Sequence, residues 1–135
     1  HLSSRRQRQM CIRDSSHTKG FSAIAISPKP VGIDIQDSRD KILSISKKFI
    51  NSYERDLIDP SSIKELTLVW CIKEATYKVH RKPGLDFKDE IKIQSISNNL
   101  SHSTVEVEKL DKKYFFESFN ITESDYICSI VQSNE

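Results

Sequence analysis

No apolar run in the 135 residues approaches the roughly 20 that a membrane-crossing helix requires, and none has the form of a secretory leader. Charge of one sign is missing as well. Lys plus Arg (21) against Asp plus Glu (19) leaves a formal +2, too little for the electrostatic footprint of a nucleic-acid binder. Even that surplus is local. Arg5, Arg6, Arg8 and Arg13 against Asp14 give residues 1–14 a net +3, and the remainder a net −1. Cysteine is sparse: Cys11, Cys71 and Cys128 lie far apart, are odd in number and form no C-x-x-C or Cys/His spacing. That argues against a zinc site and against a disulfide framework. Cys71 and Cys128 sit in apolar patterns and read as small buried thiols, and the expected compartment is reducing, hence cytoplasmic. Internal repeats and low-complexity tracts are absent from the sequence.

Hydrophobic residues at 36% and charged residues at 30% fit one soluble globular domain with a modest core. Residues 1–14 read differently from the rest, being basic and without a period of 2 or 3.6. The string Arg8–Asp14 resembles translated vector sequence, so this segment is set aside as non-native or disordered, and residues 15–135 are taken as the domain. Phe21–Ser27 and Val31–Gln36 read as strands, with Pro28-Lys29-Pro30 as the turn of a hairpin. In the second strand Ile33 and Ile35 share one face, and Gly32, Asp34 and Gln36 the other. Asp37-Ser38 offers an N-cap for a helix bearing Ile42, Leu43, Ile45, Phe49 and Ile50. A short helix is expected over 52–58. Ser62 with Glu65 forms a capping box that opens a long helix to about His80, closed by Lys82-Pro83-Gly84. Strands at 91–97, 104–109, 114–120 and 126–131 complete a β meander, so the fold class is α+β, an antiparallel sheet packed on a long helix.

The long helix stacks Trp70, Glu74 and Lys78 at i, i+4 and i+8, with Lys73 at the border. A surface salt bridge explains Glu74 and Lys78 by themselves; the large aromatic in the same stripe points to a face that packs against something. Asp34 and Glu74 converge if the strand packs on this helix. Two carboxylates flanked by lysines suit Mg²⁺ holding a phosphate ester, since hard oxygen ligands hold the ion while ammonium groups neutralise phosphate. His80, at a helix C-terminus, reads as a partner of the helix dipole, and His102 as a solvated turn residue.

Five segments together resemble the 4′-phosphopantetheinyl transferases. Val31-Gly32-Ile33-Asp34-Ile35-Gln36 is similar to the G-(I/V)-D-(I/V)-E signature of that family. Trp70-Cys71-Ile72-Lys73-Glu74-Ala75-Thr76-Tyr77-Lys78 is similar to W-(S/C/A)-x-K-E-(A/S)-x-x-K. Phe49–Glu54 resembles the intervening F-x-x-x-x-E, Ser16-His17-Thr18 the S-H-S/T motif that precedes the first signature, and Gly84-Leu85-Asp86-Phe87 the stretch that follows the second. The Trp and the leading Ser-His-Thr point to the two-lobed, surfactin-synthetase-activating type.

The resemblance implies transfer of 4′-phosphopantetheine from coenzyme A (CoA) to a serine of an acyl or peptidyl carrier protein (holo-acyl-carrier-protein synthase activity), with Mg²⁺ as cofactor and neither nucleic acid nor membrane as partner. It assigns Asp34 and Glu74 to the metal and Lys78 to a phosphate, with Lys73 assisting. His17 goes to the CoA phosphate region and Glu54 to the attacking serine. Whether Glu74 or a water on the metal takes the serine proton stays open in the sequence. Gln36 stands where a third acidic metal ligand is common, which predicts weaker Mg²⁺ binding. The two-lobed enzymes also carry a lobe ahead of the Ser-His-Thr motif, so the chain is expected to be the C-terminal portion of such an enzyme, with apolar faces of the first hairpin and long helix left uncovered. The alternative is a non-catalytic fragment that binds CoA or a carrier protein.

Overall fold

Ser62 starts the long helix by accepting a hydrogen bond from the Glu65 amide at 3.2 Å. This helix, Ile63–His80, organises everything around it. The computed structural model describes residues 12–134. In chain order these form β1 (Ile12–Thr18), β2 (Phe21–Ser27), β3 (Val31–Gln36), α1 (Lys41–Ile45), a 3₁₀ turn (Ser46–Lys48), α2 (Ser52–Arg55) and α3 (Ile63–His80). Four strands follow: β4 (Ile91–Ile96), β5 (His102–Lys109), β6 (Lys112–Thr122) and β7 (Ile127–Ser133). β4 to β7 form the expected meander, and β3 joins its end, giving an antiparallel five-stranded sheet in the order β3-β7-β6-β5-β4. The fold is α+β, with α3 lying on one face of this sheet. Among the described residues no helix is long and apolar enough to cross a membrane.

Three sequence expectations need correction. β2 and β3 do not form a hairpin. β2 pairs with β1, Thr18 facing Phe21 across a tight turn whose Gly20 takes φ 83°, a left-handed conformation that glycine adopts without strain. Pro28 and Pro30 have no N–H for a ladder and instead carry the chain out of that ribbon to the edge of the main sheet. Second, β1 begins at Ile12, inside the segment set aside, so Ile12, Arg13 and Asp14 belong to a strand; residues 1–11, with Cys11, lie outside the described residues. Third, Asp37 does not cap α1, which starts at Lys41. Its carboxylate accepts from Thr18 Oγ1 (2.8 Å) and Arg39 Nε (2.9 Å) instead.

The β1–β2 ribbon folds over β3, where Ala25 joins Val31, Ile33, Ile35 and Cys128 in a small apolar cluster. On the other side of the sheet Leu66, Leu68, Val69, Cys71, Ile72 and Ala75 of α3 are fully buried in the main core. On β2, Ile24 and Ile26 are each 64% exposed, whereas β3, the other strand of the expected hairpin, is buried from Val31 to Ile35. The long helix, by contrast, is wrapped on most sides, because α1, α2 and the loop after α3 cover what the sheet does not.

Gly32 sets how closely β3 approaches α3. A Cβ built there would stand 2.1 Å from the Ala75 carbonyl oxygen and 3.1 Å from the Val79 nitrogen, both backbone atoms of the helix. Gly32→Ala is therefore expected to push helix from strand and to cost on the order of 2–3 kcal/mol. A urea denaturation midpoint equal to that of the parent chain would show that the helix can step aside.

Candidate functional site

Alternation along β3 aims Ile33 and Ile35 at the ribbon and Gly32, Asp34 and Gln36 at α3. The close approach at Gly32 therefore delivers Asp34 to the helix face bearing Cys71, Glu74 and Lys78. Asp34 is 4% exposed. Its carboxylate accepts from Gln36 Nε2 at 2.8 Å and from Ser16 Oγ at 3.3 Å, and its backbone carbonyl accepts from the Cys71 thiol at 3.1 Å. Burial pushes the Asp34 carboxyl above its ordinary value, against the opposing pull of Gln36 and Lys78. Glu74 is pushed the same way, first by burial and then by the Asp34 charge, with Lys78 opposing. Glu74 thus senses the Asp34 charge where β3 packs on α3. Glu74 makes no hydrogen bond among the described residues.

Lys78 stands at the other end of this pair. Its Nζ donates to the Ile33 carbonyl at 2.5 Å and to the Ser15 carbonyl at 3.2 Å. It lies 3.6 Å from Asp14 Oδ2 and 4.0 Å from Asp34 Oδ1. At the opposite end, beyond Gln36, a cleft of about 270 Å³ opens, walled by Ile42, Ile45, Thr67 and Trp70 and bordered by Gln36 and Asp37. The helix face therefore runs from an ammonium through two carboxylates to a partly apolar cleft.

Other expected site residues lie elsewhere. Lys73 is fully buried, and its Nζ donates to Glu54 Oε1 (2.7 Å) and to the carbonyls of Phe49 (2.6 Å) and Phe87 (2.5 Å). Glu54 in turn accepts from the amides of Ile93 (2.7 Å) and Asn51 (3.1 Å). Burial raises Glu54 and lowers Lys73, each opposed by the partner's charge. These two residues pair with each other and make no hydrogen bond to Asp34 among the described residues. The segments around them follow from that pairing: the Phe49 and Phe87 rings flank Trp70 at 5.1 and 5.3 Å, and Asn51 and Glu54 close a reciprocal capping box on α2. His17 is exposed, on the face of β1 opposite Ser16, and so points away from Asp34.

Apart from their spacing, nothing in the sequence points to Asp14 or to the use made of Ser16 and Thr18. These side chains meet the outer edge of β3, where a neighbouring strand would pair. The Ile33 amide donates to Asp14 Oδ2 (2.7 Å), the Ile35 amide to Ser16 Oγ (3.1 Å) and the Asp37 amide to Thr18 Oγ1 (3.2 Å). The two-residue period of Asp14, Ser16 and Thr18 is the signal that marks this strand.

Among the described residues no cluster of three or more His, Cys, Asp or Glu side chains is disposed to hold a metal ion. The donors at hand are two carboxylates, Asp34 and Glu74, and the Gln36 amide. Burial disfavours the charges of both carboxylates, and the Asp34 charge disfavours that of Glu74 as well; an all-oxygen set of this kind suits a hard divalent cation, so these residues fit one. In comparisons with known proteins, the 4′-phosphopantetheinyl transferase superfamily matches this chain over residues 30–131, and no curated protein matches it. The matched span includes β3 and α3, and with them Asp34, Gln36, Glu74 and Lys78.

Proposed function

This chain belongs to the 4′-phosphopantetheinyl transferase superfamily, and from that premise we propose that it transfers 4′-phosphopantetheine from CoA to a serine hydroxyl of an acyl or peptidyl carrier protein, with Mg²⁺. The observation that carries this reading is the convergence of Asp34, Glu74 and Lys78 where β3 packs on α3. The serine oxygen forms a bond to the phosphorus that bears pantetheine; the diphosphate P–O bond breaks, adenosine 3′,5′-bisphosphate leaves, and the serine gives up its proton. Charge neutralisation and positioning supply most of the rate in such reactions.

Mg²⁺, when bound, supplies positive charge to the diphosphate oxygens. Asp34, Glu74 and Gln36 are the residues that would hold it. Lys78, anchored by two backbone carbonyls, presents its ammonium to a phosphate oxygen without having to be ordered first. Either Glu74, which makes no hydrogen bond among the described residues and whose carboxyl is raised by burial, or a water at the site takes the serine proton. Lys73 and Glu54 are bonded to each other and to backbone groups and touch no substrate in this reading.

Gln36 leaves the site one negative charge short of three carboxylates. Gln36→Glu is expected to lower the Mg²⁺ concentration for half-maximal rate by roughly three- to tenfold, because cation affinity follows ligand charge. An unchanged magnesium titration would remove Gln36 from the site. The decisive test of the function itself is intact-mass spectrometry of an apo carrier protein incubated with the chain, CoA and Mg²⁺. Gain of one phosphopantetheine supports the reading; an unmodified carrier overturns it, and CoA binding by the same sample would then support the alternative of a binding-only fragment.

A further inference from the structure

We propose that Asp14 is a positioning residue, a counter-carboxylate that holds the Lys78 ammonium away from Asp34 and so keeps the Asp34–Glu74 pair open to a divalent cation. The inference rests on the reading of Asp34 and Glu74 as cation ligands. Asp14 lies upstream of the span that the family comparison matches, within the segment set aside on sequence.

Lys78 Nζ commits two of its N–H bonds to the Ile33 and Ser15 carbonyls, which pins the nitrogen where β1 crosses β3. The charge then has two carboxylates at comparable range, Asp14 Oδ2 at 3.6 Å and Asp34 Oδ1 at 4.0 Å. Both separations exceed a direct N–H···O hydrogen bond, so the ammonium stands between two attractions and closes on neither. Asp14 cannot swing onto it, because the same Oδ2 accepts from the Ile33 amide at 2.7 Å. Asp34 is the more buried of the two, with 6% of its side chain exposed against 24% for Asp14, and its pull on a cation is therefore less screened. Without the Asp14 charge the balance tips. The flexible lysine stem moves toward Asp34 and forms a direct ion pair, and a carboxylate in that pair has less to offer a metal.

Asparagine at position 14 keeps an acceptor for the Ile33 amide and removes only the charge, so Asp14→Asn separates the two tasks. The probe is Mn²⁺ alone, titrated into the full chain by calorimetry without CoA or carrier, with circular dichroism matching the parent chain in each variant. Asp14→Asn is expected to weaken Mn²⁺ binding on the order of fivefold, the size of coupling typical of neighbouring charges. In a Lys78→Met background the same substitution is expected to change it by less than about twofold, since no ammonium remains to be held off. Equal affinity in Asp14→Asn and the parent chain overturns the proposal. So does the same loss with and without Lys78, which would mean that Asp14 acts on the cation directly. If neither the parent chain nor Gln36→Glu binds Mn²⁺, it is the reading of Asp34 and Glu74 that falls.

Discussion

Glu74→Ala is expected to reduce carrier modification by about 10³-fold or more while leaving the chain at least as stable as before. The activity loss follows from position. Glu74 is one of two carboxylates facing the gap beside Lys78, and the site as read concentrates several kcal/mol of charge stabilisation there. Stability follows a different logic. A carboxyl whose folded pKa lies above the unfolded value of about 4.5 contributes stability that is complete below that value and is lost as pH rises through the folded pKa. Glu74 is shifted in that direction by burial and by Asp34, so its contribution declines as pH rises above the unfolded value. Removing it relieves a repulsion and breaks no hydrogen bond among the described residues. Phosphopantetheine gain by mass spectrometry, run beside a thermal melt, checks both halves. Retained activity would take Glu74 out of the chemistry; a collapse in melting temperature would make it a structural residue.

Lys73→Met is expected to do the reverse, costing about 3–5 kcal/mol of stability, the range for stripping one partner from a buried ion pair. For a domain of this size that lowers the melting temperature by roughly 10–20 °C. The shifts show why charge attraction alone is not the explanation. Glu54 raised by burial loses its contribution as pH rises through its folded pKa, and Lys73 lowered by burial has its contribution complete above about 10.5 and loses it as pH falls through its folded value. At neutral pH both shifts oppose the folded state. What the pair supplies is hydrogen bonding to four backbone groups: the Phe49 and Phe87 carbonyls and the Asn51 and Ile93 amides. These come from the end of the 3₁₀ turn, the start of α2, the loop after α3 and β4. The double variant Glu54→Leu/Lys73→Met removes both charges of the pair but strands all four groups, each at about 1–3 kcal/mol, so it is not expected to recover the parent stability. A loss under about 1 kcal/mol in chemical denaturation of Lys73→Met would refute this account.

Much of this was legible in the residues. The bounds of β2 and β3 follow from their alternation, α3 begins at the Ser62 cap as its spacing predicts, and the four meander strands lie where expected, although β5 takes in His102, expected in a turn, and β6 runs on to Thr122. The convergence of Asp34 and Glu74 was also within reach, since strand and helix periodicity each fix a face. β1 was not, because its inward residues are polar. Asp14, Ser16 and Thr18 point at backbone amides in place of apolar side chains, so the usual alternation of apolar and polar residues never appears. The partner of β2 was misread for a related reason: Pro28 and Pro30 announce a change of direction without saying which strand lies beyond it. The Glu54–Lys73 pair is a contact between elements 19 residues apart. A lysine in a helical stripe looks solvated until the elements around it close.

A strand at the margin of a sheet ordinarily offers its unused amides to any extended chain that drifts past, which is how ordered proteins seed their own clumping. β3 lies at that margin, yet the amides of Ile33, Ile35 and Asp37 are already spent on one carboxylate and two hydroxyls. Such acceptors end a pattern where a backbone would repeat it, since a side chain presents no second row of donors and acceptors for the next molecule to copy. The arrangement that brings Asp14 beside Lys78 therefore also makes this border of the sheet a dead end for growth.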